Sequence, residues 1–201
     1  MHYNPDELSQ PAIYKLLTGA VIPRPIGWIS SINLDGQPNL APFSFFNAVG
    51  DDPPHVMFST VRNGNTNKDT LNNVLDTGQF VVNMVTEDTV ERMNITAQVV
   101  GPEVNEFELA GLTAAPSMIV KPPRVLESHV SFECELVHHY ALENHKFGGA
   151  VVMIGKILMF HFDDDVLADN YKINMKNYRP VARLAGSDYS KLGETFSYKR
   201  I

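Results

Sequence analysis

The string Ser59-Thr60-Val61-Arg62-Asn63-Gly64-Asn65-Thr66-Asn67-Lys68-Asp69-Thr70 ends a strand in hydroxyls, crosses a polar loop and starts a helix. Backbone N–H groups at a helix start, the hydroxyls of Thr66 and Thr70 and the charge of Lys68 could together hold a phosphate. The same string also reads as ordinary capping with a solvated lysine. A second segment, Asn39-Leu40-Ala41-Pro42-Phe43-Ser44-Phe45-Phe46-Asn47, sets small residues and a proline beside three phenylalanines. A flat ligand needs a backbone it can approach closely and apolar walls, and this segment offers both. Strand alternation puts Phe43 and Phe45 on one face and Phe46 on the other, so some of these rings are core. A third segment, Ile22-Pro23-Arg24-Pro25-Ile26-Gly27-Trp28-Ile29-Ser30-Ser31, brackets an arginine between two prolines. Proline fixes φ, so Arg24 sits in a stiff extended segment that suits presentation of a guanidinium to an anion or a ring, or leaves it at an exposed turn.

Other chemistries lack their residues. No Gly-x-Gly-x-x-Gly, no Gly-x-x-x-x-Gly-Lys and no Gly-x-Ser-x-Gly is present. Adjacent His138 and His139 in a strand point to opposite faces, so they cannot share a metal. Asp163-Asp164-Asp165 reads as a solvated turn. The single cysteine, Cys134, lies in an apolar alternating stretch and reads as a buried structural thiol.

The elements that must position these segments are mostly strands. Pro25 to Ile32, Val56 to Thr60, Phe80 to Val85, Ser131 to Val137 and Ala150 to Phe162 are rich in Val, Ile, Phe and Met. Asp35-Gly36 marks a hairpin after the first of them. A helix is expected from an Asp69 N-cap, with Leu71, Val74 and Leu75 on one face and Gly78 as its stop. Asp88 and Glu91 form a capping-box pattern ahead of Val90, Met93 and Ala97. A shorter helix is expected from Pro11 to Thr18. Antiparallel strands in this number suit a closed or partly closed barrel, which removes exposed edges.

The chain has 201 residues, 44% of them hydrophobic and 19% charged, which suits one globular domain. A formal charge of −7 with scattered positive residues gives no electrostatic reason to bind nucleic acid or an anionic membrane. No signal-peptide pattern and no membrane-length apolar run is visible, so a cytoplasmic protein is expected.

The segments occur in an order that resembles the flavin-reductase-like FMN-binding proteins, a family that includes flavoredoxin and the nitrilotriacetate monooxygenase reductase component. The shared pattern is Pro23-Arg24-Pro25, Asn39 to Phe46, Asp52-Pro53-Pro54, Lys68-Asp69-Thr70, Phe80-Val81-Val82-Asn83, and then Tyr178, Pro180, Arg183, Gly186 and Tyr189. One motif would be weak; six in order, from Pro23 to Tyr189, are specific. The resemblance implies a mainly β fold over a single domain, 1–201: an antiparallel, Greek-key-like split β-barrel with a few peripheral α-helices. It also implies FMN as cofactor, NADH or NADPH as electron donor, and a homodimer with the flavin at or near its interface. By the same resemblance Ala41, Pro42, Phe43, Ser44 and Phe45 lie against the isoalloxazine. Ser59, Thr60 and Val61 follow the ribityl chain, and Lys68, Asp69 and Thr70 meet the phosphate, with Arg24 and Arg183 as further contacts. A histidine ahead of a Gly-x-Val strand lies near the nicotinamide in related reductases. His145, ahead of Gly155-Lys156-Ile157, matches it with a longer spacing and equally reads as a surface histidine. The implied function is an NAD(P)H-dependent flavin reductase, with a monooxygenase as partner. The same motifs also fit an FMN electron carrier without nicotinamide activity, and a relative that has lost flavin.

Overall fold

The computed structural model describes residues 1–61, 67–142 and 149–199. Seven strands form one antiparallel sheet: Gly27–Ile32 (β1), Pro38–Phe43 (β2), Phe46–Asp51 (β3), Pro54–Val61 (β4), Gln79–Met84 (β5), Val130–Ala141 (β6) and Ala150–Phe162 (β7). Their spatial order is β2-β1-β5-β6-β7-β4-β3. The two edge strands, β2 and β3, are joined only by Ser44 and Phe45. So short a link spans about 10 Å, so the sheet must curl until its edges meet at that corner. Ser59 N donates to Phe45 O at 2.8 Å and fastens β4 to the corner.

The bend at Ser44 and Phe45 resets the side-chain alternation expected there. Phe43 and Phe46 both enter one core cluster, while Phe45 is only half-buried. Inside the curl Phe43, Phe58 and Phe80 follow one another at centroid distances of 5.1 and 5.3 Å. The helix Asp69–Thr77 (α2) closes one end with Leu71 and Val74. A second cluster fills the outer face of β1, where Trp28 and Leu40 meet Met93 of Val90–Ile95 (α3) and Phe107 of Glu106–Leu109 (α4). β1 is therefore buried along its whole length.

Local signals hold in part. Gly36 takes φ +83° in the β1–β2 hairpin, and Gly78 takes φ +69° where α2 stops. The helix expected from Pro11 to Thr18 runs Gln10–Ala20 (α1). Asp69 is the first helical residue of α2 rather than its cap; Lys68 occupies the cap position and offers no side-chain cap. The capping box at Asp88 and Glu91 does not form, because Thr86 Oγ1 donates to Asp88 at 2.6 Å and His129 Nε2 lies 3.0 Å from its other oxygen. Thr89 occupies the N-cap position of α3, and its Oγ1 accepts from Thr86 N at 3.0 Å. Cys134 is fully buried, and burial together with the Glu133 charge pushes its thiol well above its ordinary value.

Gly155 is a tight point inside the curled sheet. A Cβ there would reach 2.6 Å from Phe80 Cε1 and 3.3 Å from Cys134 Cβ. Gly155→Ala should therefore cost about 1–3 kcal/mol by overpacking, read as a lower urea midpoint with an unchanged slope.

Candidate functional site

A cleft of about 700 Å³ opens beside the outer edge of β2. β2 supplies Asn39, Ala41 and Pro42, and the end of β4 supplies Val61. Pro42 is tolerated because β2 is an edge strand with no ladder bond to lose on its open side. Asn67, Lys68, Asp69 and Thr70 lead into α2. The opposite wall is the segment from Thr96 to Val100 with Pro102, and Glu106 stands at the start of α4.

A buried amide network fixes the polar end against the strand. Asn39 Nδ2 donates to Thr70 Oγ1 at 2.9 Å, and Asn73 Nδ2 donates to Ser31 Oγ at 3.2 Å. The first turn of α2 is thereby held in register with β2. Its leading N–H groups have no intrahelical acceptor by geometry, and no side chain of Lys68 caps them. The Lys68 ammonium stands 5.9 Å over the Phe43 ring. Glu106 is buried, and its Oε2 accepts from Leu40 N at 3.1 Å. Burial pushes its carboxyl above the ordinary value, and the Asp69 charge adds to this; Leu40 N–H pulls the other way.

A smaller cavity of about 160 Å³ shares Pro42 and Ala97 with the cleft and adds Ile26, Ser44, Met93, Asn94, Arg183 and Tyr189. Arg183 belongs to the strand Val181–Arg183 (β8), which pairs with Tyr189–Lys191 (β9). Its guanidinium stacks 4.5 Å over the Tyr189 ring and donates to Gly186 O.

Of the residues singled out by sequence, Ala41, Pro42, Val61, Lys68, Asp69 and Thr70 meet in the large cleft, and Ser44 and Arg183 line the small one. Phe43 lies in the core beneath Lys68. Phe45, Ser59 and Thr60 line neither space. Thr60 is buried, and among the described residues its hydroxyl has no hydrogen-bond partner. Thr66 and His145 lie outside the described residues. Arg24 is neither an exposed turn residue nor a wall of either space. It is 5% exposed, and its Nη1 donates to Thr18 O and Val21 O at 2.6 Å each. Its Nη2 donates to Leu184 O at 2.8 Å, and its Nε approaches Ser44 Oγ at 3.4 Å. The guanidinium staples backbone to backbone behind the site.

Sequence reasoning did not nominate Asn39, Glu106 or the wall from Thr96 to Pro102. Asn39 sat in a segment already singled out, and its side chain was the available signal. Glu106 and the Thr96–Pro102 wall carry no pattern that links them to β2; only the packing of α4 on that strand brings them there.

Residues 18–182 match a family model described as flavin reductase like domain. An uncharacterized protein of Aquifex aeolicus is 47% identical over 192 residues, 95% of each chain. The crystal structure of nitrilotriacetate monooxygenase component B from Bacillus cereus superposes with a TM-score of 0.94 at 35% identity, covering 98% of both chains. A Shewanella frigidimarina protein described as a flavin reductase with a split barrel domain superposes with a TM-score of 0.85 over 100% of both chains; at 21% identity it speaks to the fold alone.

Proposed function

This chain belongs to the flavin reductase like family, and from that premise we propose that it binds FMN in the large cleft and reduces it with NADH or NADPH. One observation carries the reading. A close-approach wall of Ala41 and Pro42 runs into the uncapped first turn of α2 with Lys68 beside it. A ring against the former places a phosphate at the latter.

The groups present fit such a ligand. Lys68 and the leading N–H groups of α2 would bind the phosphate. Thr70 holds its hydroxyl on Asn39 and keeps that turn in place. The buried, unpartnered Thr60 hydroxyl offers a hydrogen bond near the end of β4. Val99, Val100 and Pro102 would exclude water from the open face. Bound there, FMN would supply two-electron chemistry toward a nicotinamide donor, which asks no acid or base of the protein. Val99 is 99% exposed at the rim, an apolar side chain that a second subunit would cover. That supports a homodimer with the flavin near its interface, expected as twice the chain mass in light scattering. The likeness to a monooxygenase component supports a monooxygenase as the acceptor of the electrons.

The deciding experiment is an anaerobic absorbance spectrum of the FMN-loaded protein before and after NADH, then NADPH. Bleaching of the flavin bands by either donor is expected. Bands that persist with both would overturn the reductase reading in favour of an electron carrier. Lys68→Ala should weaken FMN by about 10- to 100-fold, the usual scale for one charge-assisted contact. Riboflavin affinity, measured by fluorescence quenching, should stay near that of the parent.

A further inference from the structure

Glu106 has no role in the reading above, yet it lines the same cleft as the phosphate-holding groups. It is 6% exposed. Oε2 accepts from Leu40 N, and the carboxylate is also met by its own backbone N–H. A buried carboxylate met only by neutral backbone donors, with little water around it, is costly to keep charged.

Among the described residues the charges around it are few. The start of α2 brings Lys68 and Asp69. β2 brings only the Leu40 N–H and the neutral Asn39. The wall from Thr96 to Pro102 contains no charged residue. Its own helix adds Glu108, which is exposed and accepts from Asn105 Nδ2. Among the described residues the cleft lining thus holds two carboxylates against one ammonium before any ligand enters. A phosphate monoester adds about −1.5 to −2 more. Asp69 is half-exposed to water, whereas Glu106 is buried.

Resting on the FMN reading, we propose that Glu106 takes up a proton when a phosphate ester enters this cleft, so that binding of the anion is coupled to protonation of a buried carboxylate. The proton comes from solvent and adds to a Glu106 oxygen; no other bond changes. By linkage, FMN affinity then falls as pH rises, by up to about tenfold per pH unit above the value for the empty cleft.

The test is calorimetric titration of the flavin-free full chain with FMN, at several pH values from 6 to 8, each in two buffers of different ionisation heat. The difference in heat between buffers counts protons taken up per FMN. Glu106→Gln keeps an oxygen for Leu40 N–H and removes the titration. The phosphate's own protons are common to both proteins and cancel in their difference. The parent is expected to take up more protons than Glu106→Gln, approaching one, and to lose affinity more steeply with pH. Riboflavin, which has no phosphate, should show no such difference. Equal proton counts in the two proteins with FMN bound would overturn the proposal alone. So would an equal loss of FMN and riboflavin affinity in Glu106→Gln at unchanged proton count, which would make Glu106 a hydroxyl acceptor. Absence of FMN binding to the parent would overturn the flavin reading as well.

Discussion

Arg24→Ala should destabilise the protein by about 3–5 kcal/mol, the scale for leaving three backbone carbonyls without their charged donor. The alanine leaves Thr18 O, Val21 O and Leu184 O without the guanidinium that donates to all three of them. Thr18 and Val21 mark the end of α1, where carbonyls lack intrahelical partners and the helix presents its negative pole. Arg24 also exchanges backbone hydrogen bonds with Arg183, at 3.1 and 2.9 Å. Losing the side chain therefore loosens α1, β8 and the Ser44 corner together. Arg24→Lys should recover only part of the loss, because an ammonium cannot span the fork of acceptors. Urea unfolding followed by fluorescence measures both variants. An Arg24→Ala protein that unfolds at the parent's midpoint and has lost only flavin would instead make Arg24 a ligand contact.

Glu133→Ala should have an effect of similar size, about 3–5 kcal/mol. Glu133 is fully buried in β6. Its oxygens accept from Met118 N at 2.7 Å, Ile119 N at 2.7 Å and Val120 N at 2.9 Å, and His161 Nε2 lies 2.6 Å from Oε1. One carboxylate thus holds a loop of exposed Met118 and Ile119 onto the sheet. Burial alone would push this carboxyl up, but the N–H groups and His161 hold it below its ordinary 4.5. The folded value therefore lies under the unfolded one. Its stabilisation is fully present above the unfolded value and is lost as pH falls through the folded one. Stability of the parent should drop more steeply below pH 4.5 than that of Glu133→Ala, so the two urea midpoints should converge in acid. Midpoints that keep a constant separation down to pH 3 would remove Glu133 as the acid-sensitive group.

Much of the candidate site was legible in the residues because its parts are contiguous. Lys68, Asp69 and Thr70 sit at a helix start that the sequence marks by itself, with Gly78 as the stop. Ala41 and Pro42 advertise close approach by their size alone. The strand from Ala150 to Phe162 matches its apolar pattern at both ends. Alternation, turn glycines and helix periodicity are set by atoms a few residues apart, so they can be read without the fold.

Other features depend on partners far along the chain. Arg24 looks like a ligand contact until Leu184, 160 residues later, arrives to accept its N–H. Asp88 looks like half of a capping box until His129 takes its carboxylate. Phe46 changes face because the corner at Ser44 and Phe45 must carry the chain from one sheet edge to the other. Glu106 reaches the cleft only through the packing of α4 on β2. The sequence by itself determined the main strands, their hairpin and the polar string that leads into α2. The tertiary structure decided which buried charges serve the backbone and which face the cleft, since that choice is made by hydrogen bonds closed across the sheet.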